Sequence, residues 1–544
     1  MKLRSIFLLF LCVLIYTSVS AQDLSEQIRF NLEQAPEEGK LNLSGVPIQK
    51  TGETFRFYAD RNFTPVWSEN GLLNELAYEM RFEIRQAKYD GLNPEAYHLG
   101  IIETFFEAFE SNQKSGVSNS LTDLAELELF LSDAYFLLAS HLDRGKVDPS
   151  RLKVSWDIPR KPQTANYADL LNESIQSQSI REGLEKLYPE YPAYRKGREV
   201  IRELEEKAKG DDLNWKPLKT DKSIKVGESN SQIPTVRERL GFWGYLGENM
   251  ELESRDYDSL LFESVKNYQL AKGLEADGIL GKLTLSALNE SPVDLMQKAA
   301  INLERLRWIP NSFFQSDLIL INIPNFRLDY RSPTDTIFST RVIVGTYKNQ
   351  SPVFTAAMRY IVFSPYWNIP PSIARNEVIP AIRRNSDYLS RNHMEVVTGS
   401  GTVVPNSQIN WAQRPFPYLI RQKPGTFNSL GLVKFMFPNR YNVYLHDTPG
   451  KHLFDREVRT FSHGCIRMQD PFQFAQILLD DMEEWTSENI EEAMNQGKEQ
   501  IVNLQKNIPV LIVYLTFWAD TNGQPHFRPD IYNRDEELRS LLNF

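Results

Sequence analysis

Hydrophobic residues recur along this chain with two different periods. Over residues 22–209 the spacing is mostly helical: Leu124, Leu127, Leu131, Ala134, Leu138 and Leu142 fall three or four residues apart and share one face, with Gly145 as a stop. Phe63-Thr64-Pro65-Val66-Trp67 and Asp90-Gly91-Leu92-Asn93-Pro94 punctuate shorter helices. A helical scaffold with no chemistry of its own is expected here. Residues 210–232 turn polar and lose the period, as a linker does. Within 233–292 three short helical segments follow, around 236–240, 261–269 and 284–288, the last two joined through Gly273-Leu274 and Asp277-Gly278-Ile279-Leu280-Gly281.

From residue 293 the period becomes that of strands. Apolar runs at 318–323, 340–344 and 358–363 are separated by turn residues such as Asn325 and Gly345. A polar interval, 371–423, interrupts them with a helix-prone stretch at 377–389 and a turn at Ser400-Gly401; insertions of that length commonly serve as lids or substrate-binding loops. Strands resume at 432–437 and 441–446, a helix is predicted over 471–479, and 510–518 with 525–527 form a closing pair around Asp520-Thr521-Asn522-Gly523. The expected fold is a multidomain α+β chain whose mainly-β domain spans 293–530, with residues 531–544 as an uninformative tail.

Composition narrows the function. With 41% hydrophobic and 24% charged residues the chain is core-forming, and a net charge of −10 argues against a nucleic-acid partner. No phosphate-loop or dinucleotide fingerprint occurs. Lys2 and Arg4, the apolar stretch 6–16 and Val19-Ser20-Ala21 read as a secretory signal over residues 1–21. The stretch falls short of the ~20 residues a spanning helix needs, so export to the periplasm or cell envelope, without stable membrane insertion after cleavage, is expected. Cys12 lies inside the signal.

That leaves one cysteine, Cys465, in the run Phe461-Ser462-His463-Gly464-Cys465-Ile466-Arg467-Met468. A lone thiol excludes a disulfide scaffold and a thiolate-rich zinc site, and keeping one in an oxidising compartment points to a use for the sulfur. Burial as a small hydrophobe is the plain alternative, which the polar and glycine neighbours disfavour. To attack an acyl carbon the thiol must pass its proton to a nearby base. His446, 19 residues upstream at the end of Val443-Tyr444-Leu445, is favoured over His463 within the turn and over His452 in a loop. The amides of Gly464 and Cys465 are candidates for stabilising an oxyanion. Ser462 either orients a histidine or shapes the turn.

His446 with Asp447-Thr448-Pro449-Gly450, then Ser462-His463-Gly464-Cys465-Ile466-Arg467, resembles the L,D-transpeptidases with a YkuD-type catalytic domain. The segment 233–292 is similar to the three-helix peptidoglycan-binding module. Tyr366-Trp367-Asn368-Ile369-Pro370-Pro371-Ser372-Ile373, Lys423-Pro424-Gly425 and Lys434-Phe435-Met436-Phe437-Pro438-Asn439 resemble the large YcbB-like members, whose catalytic domain carries an inserted capping subdomain.

The resemblance implies that Cys465 attacks the carbonyl before the terminal D-alanine of a tetrapeptide stem and forms a thioester. The amine of a diamino acid on a neighbouring stem, meso-diaminopimelate in this family, then makes a 3→3 cross-link in cell-wall biogenesis. His446 would be the general base, His463 and Gly464 would form the oxyanion turn, and Arg467 would hold the turn or substrate. Asp447 is expected to be structural. No metal or organic cofactor is implied, and carbapenems are the expected inhibitors. Water in place of the amine would give a carboxypeptidase or cross-link hydrolase. A catalytically silent wall-binding protein is the reading from another class. Papain-like peptidases place histidine after cysteine, and sortases lack the Ser-His-Gly-Cys turn.

Overall fold

The computed structural model describes residues 22–35, 40–210, 213, 215–247 and 251–543; the signal segment lies outside the described residues. In the scaffold, the helix Leu121–Arg144 starts where Ser120 accepts the Asp123 amide and stops at Gly145, whose φ of +81° a side chain would disfavour. All six periodic apolar positions are buried. Periodicity did not reveal that this helix also buries Glu128 and Asp133.

Scaffold and catalytic region share one continuous hydrophobic core. The helix Pro192–Lys209 packs on Pro292–Trp308, which opens with a Ser291/Asp294 capping box and is buried along most of its length. The scaffold strand Trp156–Asp157 also pairs in parallel with Val353–Phe363 of the catalytic sheet.

That sheet contains Leu318–Asn322, Arg327–Arg331, Thr336–Gly345, Val353–Phe363, Val433–Met436, Leu445–His446, Ile466–Met468 and Gln500–Val513. Val433–Met436 pairs with Leu445–His446 on one side and with Val353–Phe363 on the other, which closes the sheet on itself. Arg327–Arg331 escaped the sequence reading because its inward residues, Leu328 and Tyr330, alternate with charged ones. The run 510–518 is not one strand: Gln500–Val513 ends before Tyr514, and Phe517–Ala519 forms a separate hairpin with Pro525–Phe527.

Three other expectations need correction. The polar interval read as a linker contributes Leu218 and Ile224 to the core of the three-helix module, and Ile224 bridges to Leu280. The insertion is more than helix and turns. Its strands Leu419–Gln422, Met394–Val397 and Val403–Val404 build a four-stranded sheet with Trp367–Asn368, above a small core of Ile369, Val378, Ile382 and Ile420. Its strands are too short to show a period. Residues 531–543 are no loose tail either: Asp535, in the helix Asp535–Leu542, is buried and accepts from Arg305 and Thr516, both at 2.6 Å.

In the module, the helices Ile233–Phe242, Ser259–Ala271 and Lys282–Leu288 surround Gln269. Its amide donates to Asp277 (2.9 Å) and Thr284 (3.0 Å) and accepts from the Gly278 amide (2.8 Å). The motif residues Gln, Asp-Gly and Thr therefore hold a turn together. Gly278, at φ +68° and packed against Phe262, leaves no room for a side chain.

Candidate active site

Strand register decides which side chains meet. Leu445 and His446 pair in parallel with Ile466 and Arg467, and antiparallel with Phe435 and Lys434. Leu445, Ile466 and Phe435 are fully buried in the core. Side chains alternate along a strand and paired residues share a face, so His446, Arg467 and Lys434 stand on the opposite face. Tyr444 and Cys465 each precede their strand by one residue; the Tyr444 ring lies 5.8 Å from that of His446, and Tyr444 hydrogen-bonds to the Cys465 sulfur. The Ile466 amide donates to the Tyr444 carbonyl at 3.2 Å, which ties the two segments at this point.

The turn before the sulfur is held from beneath. Ser462 Oγ donates to the Cys465 carbonyl (2.5 Å) and accepts from the Gly464 amide (3.0 Å). Ser351 Oγ donates to the Gly464 carbonyl (2.8 Å) and accepts from the Gly345 amide (3.0 Å), while Tyr532 donates to the Gly345 carbonyl (2.5 Å). Gly464 has φ +114°, which only glycine adopts readily. Of the two readings of Ser462, the turn-shaping one holds, since it touches neither histidine. One expectation changes: the Gly464 amide is turned inward to Ser462, leaving the Cys465 amide as the one of the pair still open.

His446 is buried, with Nδ1 2.5 Å from the Asp447 carbonyl. A carbonyl only accepts, so Nδ1 carries the proton and Nε2 is left as the acceptor. Burial above all, and then the Arg467 charge, pull its pKa down to about 3 against the opposing pull of the Asp447 and Leu430 carbonyls. Burial likewise pushes the Cys465 thiol up, while hydrogen bonds from Tyr444 and the charge of Arg467 pull the other way. At rest the thiol and the imidazole are therefore both neutral. Sγ lies 3.8 Å from the Asn442 carbonyl.

Asp447 turns its carboxylate away from the imidazole, to the Leu432 amide (2.9 Å) and to Lys451 (2.7 Å). His463 reaches the insertion instead, with Nε2 3.0 Å from Glu377, both side chains about half exposed at 50% and 53%. His452 sits exposed in the turn Lys451–Asp455. Sequence reasoning assigned no role to Tyr444 or Lys434. Only the alternation of Val433-Lys434-Phe435 hints that the lysine leaves the core side.

A closed β sheet thus carries a cysteine turn beside the strand that holds a histidine. Residues 316–490 match the family model for the L,D-transpeptidase catalytic domain, YkuD. Residues 52–200 match the model described as "Scaffold domain" and 229–288 that described as "Putative peptidoglycan binding domain". A Haemophilus influenzae protein named "Putative L,D-transpeptidase" is 30% identical over 315 residues, 56% of this chain; the match spans 63% of that relative's length. The L,D-transpeptidase structure from Stackebrandtia nassauensis is 14% identical, with 53% of this chain and 94% of that one covered at a TM-score of 0.20. That from Xylanimonas cellulosilytica is 12% identical, with 54% and 100% covered at 0.18. TM-scores this low carry no argument about the fold. No helix among the described residues is long and apolar enough to cross a membrane.

Proposed function

We propose that this protein is an exported peptidoglycan L,D-transpeptidase of the YcbB-like kind, forming 3→3 cross-links through a thioester on Cys465. What supports the reading is the register that sets Ile466, the residue after Cys465, opposite Leu445, the residue before His446, with the imidazole's Nδ1 committed to the Asp447 carbonyl, inside a region that matches the L,D-transpeptidase catalytic-domain model. His446 Nε2 takes the thiol proton as sulfur attacks the carbonyl before the terminal D-alanine of a donor tetrapeptide. The open Cys465 amide donates to the oxyanion, in the turn that His463 and Gly464 shape. His446 then returns the proton to the departing D-alanine amine. In the second half the amine of a diamino acid on an acceptor stem attacks the thioester and loses its proton to His446, and the thiol is regenerated. No step calls for a cofactor. The product strengthens the wall and contributes to cell shape, and a carbapenem acylates the same sulfur.

Incubation of the purified protein with disaccharide-tetrapeptide, followed by mass spectrometry, tests the reading. Free D-alanine, an acyl adduct on Cys465 and cross-linked dimers are expected. Tripeptide without dimers would reassign the protein as a carboxypeptidase, and cross-linking retained by Cys465→Ala would remove the thiol mechanism. Exposure to meropenem should add one drug mass to the intact protein and none to the alanine variant.

A further inference from the structure

Two cations flank the base. Lys434 faces His446 across one strand pair and Arg467 faces it across the other, so three basic groups stand in a row on strands ~4.8 Å apart. Neither cation makes an ion pair among the described residues. Glu499, whose charge reaches Lys434, gives an oxygen to the Tyr366 amide at 2.9 Å, and the Nε of Arg467 is buried with no hydrogen-bond partner. Three other buried arginines do meet carboxylates: Arg305 has Asp535, Arg307 has Glu304 and Arg198 has Asp90. Two part-buried like charges beside a buried imidazole cost free energy unless an anion offsets them.

We propose that Lys434 and Arg467 form a carboxylate-binding subsite that takes the terminal carboxylate of the donor's leaving residue, and that Lys434 thereby determines donor specificity. The inference rests on the transpeptidase reading. Its scale fits: Arg467 lies two residues beyond Cys465, at most about 6.7 Å along an extended chain, and the leaving residue's carboxylate is three bonds from the attacked carbon. It also links binding to chemistry. Burial lowers the pKa of both Lys434 and Arg467, and the Arg467 charge lowers that of His446; an anion between the cations opposes this, so the imidazole becomes a stronger base once donor is seated.

The diamino acid of the donor carries a carboxylate as well, so the test has two chemical arms. Release of the leaving residue is followed with three tetrapeptides: the free acid, its C-terminal amide, and a peptide amidated only on the diamino acid. For the wild type, kcat/KM should favour the free acid over the C-terminal amide by about 10- to 100-fold, mostly through KM, with little change for the third donor. Lys434→Met should bring that ratio within about threefold, and Lys434→Arg should restore it. Discrimination against the diamino-acid amide alone would overturn the assignment to the leaving residue. An equal loss on all three donors in Lys434→Met would overturn the specificity role in favour of a structural one. Wild-type turnover without discrimination would overturn the subsite alone, whereas no turnover of any donor would overturn the transpeptidase reading with it. The wild-type comparison stands even if the methionine variant does not fold.

Discussion

The scaffold and the catalytic face both hold ionisable groups out of water, but they treat them differently. In the scaffold the buried carboxylate of Glu128 accepts from the Val66 and Trp67 amides, Ser68 and Tyr58, at 2.7–2.9 Å. Asp90 meets Arg198 and Tyr194, each at 2.8 Å, and Arg307 binds the Asp90 carbonyl and the Tyr194 hydroxyl, each at 2.7 Å. Those groups answer one another and fix how the helices pack. On the face around His446, Lys434 and Arg467 have no carboxylate partner among the described residues, the Cys465 amide is open, and the imidazole keeps an unprotonated nitrogen. Where folding leaves polar groups unmatched, a partner from outside is expected to complete them.

The contrast is broken most decisively at the sulfur. Cys465→Ala should lower acyl transfer by at least about 10³-fold while the melting temperature moves by no more than about 2 °C, because a part-exposed side chain contributes little packing; a large drop in melting temperature would make the thiol structural. Glu128→Ala should do the reverse. Four donors lose their acceptor in a closed site, so chemical denaturation should show a loss of about 3–5 kcal/mol, with turnover by the folded fraction unchanged.

Acid sharpens the comparison, since one histidine in each region is held neutral. Burial brings both His141, beside the Tyr97 hydroxyl, and His446 to about 3. Their folded-state values lie below the ordinary ~6.5 of histidine, so the unfolded chain takes up protons first as pH falls. Their contribution to stability is intact above pH 6.5 and lost progressively toward pH 3. His141→Gln and His446→Gln should each remove up to one proton from that slope, and a slope equal to wild type would refute the burial argument. The smallest effect belongs to Glu377→Gln. Its pair with His463 is half exposed and worth at most about 1 kcal/mol, so KM should change less than about threefold, and less still in high salt.

Legibility in the sequence followed the length and amphipathy of each element. The 24-residue helix Leu121–Arg144 carried its period through six turns and was read correctly to its glycine stop. The inserted strands, two to four residues long, cannot display a period at all. Residues 531–543 were passed over because their anchor is a buried ion pair, Arg305 with Asp535, between positions 230 apart. At the candidate site, Cys465 and His446 stand out by residue type and order, and register brings their strands together. Lys434 was hidden, because its significance comes from a cross-strand pairing that nothing local announces.

By itself the sequence offered Cys465 as the candidate thiol and His446 as its candidate base, placed a glycine in the turn that requires one, and set the order of the scaffold, the module and the YkuD-matching region. Those are properties of single residues and short periods, which local sterics and hydrophobic spacing impose. Only the tertiary structure decided which groups stand beside the sulfur, which amide of the turn stays open, and that Lys434 and Arg467 bracket His446. Each of these depends on register between strands far apart in the chain, where a slip of one residue would move every side chain to the other face.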